Sequence, residues 1–222
     1  KNFSFLFLTK IYSNTPMLLY KVLVLFNLFF IVYLFICNSQ KYKELHTKKD
    51  TTAVFAITQS GETADTIDYL KELKRKHFEL FGIVNVVGST IAELAGKGVY
   101  TKAGGEIGVA STKAFTSQLA VIYLISLYIA RMQNMNTKDG MSFATALESI
   151  PDLMKKTLLC SDDIQSLVEK YKAYTKIQFL GRGIHVPIAK EAALKFKEIT
   201  YLETGAYPLG ELKHGPIAII DE

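Results

Sequence analysis

At 222 residues the chain suits one domain or two small ones. Its formal charge of +5 invites a nucleic-acid reading, but residues 1–50 hold seven Lys (1, 10, 21, 41, 43, 48 and 49) against Glu44 and Asp50, which is the whole excess. The other 19 basic residues meet 19 acidic ones after residue 50, so the globular part is neutral and no nucleic-acid-binding face is expected. Cys37 and Cys160 lack disulfide or metal-ligand spacing, which points to a reducing compartment, and the four His form no zinc pattern.

Residues 1–50 are rich in Phe, Leu, Ile, Tyr, Asn and Lys and nearly lack Gly and acidic residues. Within them Met17–Cys37 is apolar enough for a membrane span, interrupted by Lys21 and Asn27. It also passes as a signal-peptide core starting at Met17, although ICNSQ is a poor cleavage site. A third reading makes the segment foreign to the fold that follows.

Ala53–Leu70, AVFAITQSGETADTIDYL, organises the rest. Ala53–Ile57 reads as a short strand buried on both faces, Thr58–Thr63 as a polar turn, and Ile67, Leu70 and Leu73 as the apolar stripe of a helix ending near Lys76. A strand, a Ser/Thr/Gly turn and a helix in that order can form an anion socket. The free N–H groups of the first helical turn and the helix dipole favour negative charge there. Ser60 and Thr63 add hydroxyls, and Gly61 allows close backbone approach. Alternatively Ser60 and Thr63 only cap the helix; local pattern leaves both readings open.

Phe81–Val86 is the next predicted strand, Ser89 or Thr90 caps a short helix through Leu94, and Gly98–Thr101 is a brief strand. Strands alternating with helices imply a parallel sheet covered on both sides. The Gly-rich Ala103–Thr112 leads into a long helix carrying Phe115, Leu119, Ile122 and Ile129. It is apolar most of the way round and is therefore expected to be buried, in part against another subunit. Ser111 and Thr112 can cap it. Thr137 begins further helix, with one stretch over Met141–Cys160 and another capped by Ser161 running to Tyr174. Lys176–Leu180 restarts the strand pattern, Gly181–Gly183 turns it, and Pro187 opens a helix. On that helix Glu191, Lys195 and Glu198 fall on one stripe, Ala189, Ala193 and Phe196 on another. Taken alone, the stripe is an ordinary stabilising pair worth about 0.2–0.5 kcal/mol. Gly205, Pro208 and Gly210 mark Thr200–Lys213 as a loop, and His214 follows it in Glu211–Pro216, freer to meet a ligand than a histidine on an apolar helix face.

TQSGETADT resembles the phosphosugar-binding signature of the sugar isomerase (SIS) domain. Glu106–Leu119, FLGRGI at 179–184 and the long run Glu191–Ile217 narrow the likeness to the isomerase half of the glutamine–fructose-6-phosphate aminotransferase (isomerizing) family. The resemblance runs from about Thr51 to Glu222. It implies a flavodoxin-like three-layer α/β/α fold with a parallel sheet. It also implies an incomplete first SIS domain at 51–135, bridging helices at 136–174 and the start of a second SIS domain at 175–222. Thr58, Gln59, Ser60, Thr63, Val109 and Ser111 are implied to bind substrate. Thr58 stands where the family usually has Ser, keeping the hydroxyl and adding a methyl. Glu198 is implied as the base moving a proton between C1 and C2, Lys195 as the lysine beside it, and His214 as the ring-opening residue given by the neighbouring subunit. A carboxylate can take and return one proton on the same face of a cis-enediol(amine). The near-neutral unperturbed pKa of a histidine suits proton exchange with a ring oxygen.

The implied activity is conversion of fructose 6-phosphate and glutamine to glucosamine 6-phosphate in a cytoplasmic homodimer, with no cofactor and no metal. Residues 1–50 then read as a head foreign to the family, replacing its first strand and sugar-contacting loop. The glutaminase domain and the C-terminal Schiff-base lysine are not found, so this polypeptide alone is expected to be inactive. A non-catalytic SIS phosphosugar-binding module stays open as an alternative. It needs only the TQSGET socket, would leave Glu198, Lys195 and His214 idle, and often carries a helix-turn-helix that no residues before Thr51 provide.

Overall fold

The computed structural model describes residues 53–220. One unit holds the described residues up to Thr101 together with Gln118–Leu147, and the other holds Lys102–Ser117 and those from Glu148 on.

In the first unit β1 (Ala53–Thr58), β2 (Glu79–Val84) and β3 (Gly98–Tyr100) form a parallel sheet in that order. They are joined by α1 (Ala64–Arg75) and α2 (Thr90–Ala95). Parallel neighbours require such crossovers, and a strand covered on both faces reads as the unbroken apolar run seen in β1. Ala56 of β1 and Leu80 and Val84 of β2 pack with Leu70 and Leu73 of α1 and Ile91 of α2. On the opposite side of the sheet Phe55 and Phe81, partners in register, stack with centroids 5.1 Å apart. Lys74 at the end of α1 donates to the Leu94 carbonyl, 2.8 Å away, tying the two helices side by side. β2 begins and ends two residues before the predicted 81–86. Its register with β1 closes at Thr58↔Val84, and Val86 is already exposed.

α3 (Lys113–Gln133) follows as predicted, but the expected burial fails among the described residues. Ala114 is its one buried residue, while Leu124, Tyr128 and Met132 are exposed. The Tyr123 and Phe143 rings, 6.1 Å apart, cover part of one face, and most of the other apolar side chains of α3 are half-buried. Among the described residues α3 is the one helix long and apolar enough to cross a membrane, a test the core helix of a soluble protein also passes. Met17–Cys37 and the rest of the 1–50 head lie outside the described residues.

The stretch predicted as helix over Met141–Cys160 is two helices, α4 (Thr137–Glu148) and α5 (Ile150–Leu158). Pro151 at the second position of α5 disfavours continuous helix through the residues before it. Asn136 caps α4, accepting the Asp139 N–H at 2.8 Å while its amide donates to the Asp139 carboxylate. α6 (Ser161–Tyr171) has Ser161 as its first helical residue rather than its cap, and ends three residues before the predicted Tyr174.

In the second unit β4 (Lys176–Gly181) leads through α7 (His185–Thr200) to β5 (Glu203–Pro208), paired parallel to β4 along its whole length. α7 starts two residues before Pro187. Proline is still at home there, because first-turn N–H groups have no intrahelical partner. β5 overturns the loop predicted from Gly205 and Pro208. Gly205 pairs with Gln178, and a Cβ added to it would lie 2.4 Å from Gln178 Oε1, so the glycine serves strand packing. Pro208 is the last strand residue, where a missing donor costs least. Thr204 Oγ1 donates to the Ala193 carbonyl at 2.8 Å, pinning β5 to α7.

The α1–α2–sheet core is the part of the first unit most sensitive to truncation. Leu70 is 2% exposed, and Leu70→Ala should lower the unfolding free energy of the full chain by about 2–5 kcal/mol, read from the midpoint of urea denaturation. A loss below about 1 kcal/mol would mean that Leu70 does not anchor α1.

Candidate functional site

β1 ends in the turn Thr58–Thr63, which delivers the chain to the N-terminus of α1. The Gly61 N–H donates to Thr58 Oγ1 at 3.1 Å, and the Glu62 N–H donates to Ser60 Oγ at 3.2 Å. Thr58 is buried, and its hydroxyl keeps its own proton to give. Gly61 has φ +72°, and a Cβ there would lie 2.0 Å from Ser89 Oγ, so conformation and space both demand glycine. Thr63 occupies the N-cap position of α1 without a side-chain capping bond. The Ile67 N–H reaches the Thr63 carbonyl at 3.0 Å, which leaves the N–H groups of Ala64, Asp65 and Thr66 without intrahelical acceptors. Neither Ser60 nor Thr63 caps the helix. Their hydroxyls, with half-buried Gln59 in the same turn, border a helix start whose donors are unspent.

This turn rests on the beginning of α2. The Glu62 carboxylate accepts from the Thr90 N–H and from the Thr90 hydroxyl, each at 2.8 Å. These bonds, the backbone one foremost, hold it below the ordinary carboxylate range. The Ile91 N–H donates to the Gly61 carbonyl at 3.0 Å. Ser89 or Thr90 was the expected cap of α2, yet Ser89, at the N-cap position, makes no capping bond. Its hydroxyl is buried against Gly61 without a hydrogen-bond partner among the described residues. A buried hydroxyl in that condition costs about 1–3 kcal/mol.

In the second unit the loop before α3 is organised by Glu106. One carboxylate oxygen accepts from the Ala114 N–H at 2.8 Å, the Thr112 N–H at 3.1 Å and the Ser111 hydroxyl at 3.2 Å. The Ala114 N–H is the chief cause of its lowered pKa. Glu62 and Glu106 therefore remain charged below the ordinary value of 4.5, and the helix starts they cap loosen only as pH falls through their depressed pKa values. Val109 in this loop is 88% exposed.

On α7 the Lys195 ammonium lies 2.8 Å from Glu198 Oε2 and 3.6 Å from Glu191 Oε1, with all three side chains mostly buried. The predicted stripe is therefore real, and so is its salt bridge. His214 ends a 3-10 helix, Leu209–His214, rather than lying in an irregular loop, and its side chain is exposed just before Gly215 at φ +144°. Thr58, Gln59, Ser60 and Thr63 are thus drawn into one turn, and Lys195 and Glu198 into one pair. Glu62 and Glu106 were not singled out from the sequence. The one available signal was an acidic residue ahead of a helix start. Among the described residues no group of three or more His, Cys, Asp or Glu could hold a metal ion.

The chain matches the SIS domain family over residues 25–128 and 171–222. That match begins inside the 1–50 head. The chain is 44% identical to a glutamine–fructose-6-phosphate aminotransferase [isomerizing] of Chlamydia pneumoniae over 193 residues, 86% of this chain and 31% of that protein. It is 42% identical to the Thermotoga maritima protein of the same name over 181 residues, 82% of this chain and 30% of that protein. The chain thus spans about a third of the length of these curated relatives. The C-terminal domain of glucosamine-fructose-6-phosphate aminotransferase from Francisella tularensis superposes with a TM-score of 0.74 at 41% identity. That superposition covers 76% of this chain and 48% of that one. Parallel strands joined by helical crossovers, a Ser/Thr/Gly turn between β1 and α1 and these matches agree: the chain belongs to the SIS domain family, with its three-layer α/β/α fold.

Proposed function

We propose that the chain is the phosphosugar-binding isomerase portion of an enzyme that makes glucosamine 6-phosphate from fructose 6-phosphate and glutamine. The carrying observation is the turn Thr58–Thr63, whose hydroxyls are not spent on capping α1 and whose helix start keeps its donors for an anion. The relatives' shared name supports the reaction, and the Lys195–Glu198 pair supports a proton-moving step. In this reading Thr58, Gln59, Ser60 and Thr63 hold the phosphate, while Val109 and Ser111 line the sugar. Glu198 carries a proton between C1 and C2, Lys195 steadies it, and His214 of a neighbouring subunit opens the ring. No metal or cofactor takes part. Domain limits of 51–135, 136–174 and 175–222 and a cytoplasmic homodimer belong to the same reading, while a head foreign to the family extends no further than residue 24, since the SIS match starts at residue 25.

Titration calorimetry of the full chain with fructose 6-phosphate tests the socket. Ser60→Ala combined with Thr63→Ala should weaken binding by about ten-fold or more, since hydrogen bonds to a charged group are each worth about 1.5–3 kcal/mol. Unchanged affinity would refute it.

The shared site calls for a full-length relative. Variants at the positions matching Glu198 (to Gln) and His214 (to Ala) should each be inactive. Mixing them should restore activity, because one site of each mixed dimer receives both intact residues. Absence of recovery after subunit exchange, with dimers confirmed by mass, would count against a histidine supplied by the neighbour.

A further inference from the structure

Binding turns on βα units are ordinarily fixed by their own strand and helix. Here the socket turn is fixed as well by the next unit. Three consecutive residues at the start of α2 hold two consecutive residues of the turn. Ser89 lies behind Gly61, 2.0 Å from where a Cβ would be, the Ile91 N–H holds the Gly61 carbonyl at 3.0 Å, and Thr90 grips the Glu62 carboxylate by two bonds of 2.8 Å. Glu62 is an odd occupant for an anion socket. A carboxylate repels a phosphate dianion, and hydrogen bonds from neutral donors do not cancel its charge. Its alternative role as a ligand is closed to it, since a carboxylate has no proton to donate. Both carboxylate oxygens are instead taken by Thr90, 28 residues downstream.

We infer that Glu62 and Thr90 are positioning residues that clamp the Gly61–Glu62 peptide onto α2 and so set the shape of the phosphate socket, without touching the phosphosugar. The inference rests on the phosphosugar reading of the Thr58–Thr63 turn. It makes a prediction opposite in sign to simple electrostatics. Removing the negative charge of Glu62 relieves repulsion and by itself tightens anion binding, whereas releasing the clamp loosens the turn and weakens it.

The test is calorimetric titration of the full chain with fructose 6-phosphate, comparing wild type with Glu62→Ala, Glu62→Gln, Thr90→Val and Thr90→Ser. Amide exchange is followed at Thr90 and Ile91. The clamp requires Glu62→Ala to bind about ten-fold more weakly despite the lost charge, with faster exchange at both amides. Glu62→Gln, which keeps one acceptor, and Thr90→Val, which keeps the N–H bond, should each lose less. Thr90→Ser, which keeps both donors, should match wild type. Equal or tighter binding by Glu62→Ala overturns the clamp and leaves the phosphosugar reading standing. A wild-type chain that binds no fructose 6-phosphate overturns that reading and the clamp with it. Should Glu62→Ala fail to fold, Thr90→Val decides the matter, and undiminished affinity in that variant refutes the clamp.

Discussion

The first unit depends on one packing constraint: α1 and α2 share a single face of the β1–β2 pair. Ala56, Leu80 and Val84 supply the sheet side, and Leu70, Leu73 and Ile91 the helix side. Each is small or branched enough to let two helices lie side by side, and burial of each large member contributes about 1.5–3 kcal/mol. Because both helices enter the same core, their N-termini emerge beside the carboxyl ends of β1 and β2. Loops that are remote in sequence then meet in space. The bonds from Thr90 and Ile91 to the Thr58–Thr63 turn are a consequence of that shared core rather than an independent feature.

The second unit repeats the logic with fewer parts. β4 and β5 pair in parallel through all six residues of each, and α7 packs on them through Ala189 and Ala193, small residues that allow close approach. The Phe179 and Phe196 rings meet at 5.9 Å, and Thr204 reaches from β5 to the Ala193 carbonyl. These ties fix the rotation of α7 about its axis and with it the direction of the Glu191–Lys195–Glu198 stripe. In each unit polar side chains, Thr204 in one and Glu62 and Lys74 in the other, add connections between elements that apolar packing leaves unspecified.

Apolar runs and periodicity made β1, α1, β3, β4 and the presence of α3 legible in the sequence, since each carries its own pattern. What stayed hidden depended on partners. β5 looked like a loop because Gly205 and Pro208 are breakers in isolation, and only pairing with β4 gives Gly205 a reason to lack a side chain. The burial of α3 was overestimated because apolarity states what a surface favours, not whether the described neighbours cover it. Ser60, Thr63, Lys195 and Glu198 were singled out through motif spacing and resemblance. Glu62 was passed over, since its partner lies in another βα unit and no local pattern links the two. Glu106 was passed over for a milder version of the same reason, reaching forward six to eight residues across a loop without secondary structure.

The bond from Ser111 to Glu106 also sets the polarity of what can face that loop. A serine hydroxyl has a single proton, and here it is given to a carboxylate that holds it along with two backbone donors. The oxygen left behind has lone pairs only. A molecule approaching Ser111 must bring its own hydrogen: a sugar alcohol satisfies it, whereas a carbonyl or phosphoryl oxygen in that place would confront lone pair with lone pair. Glu106 thereby turns an ambivalent hydroxyl five residues further along the chain into a one-way acceptor.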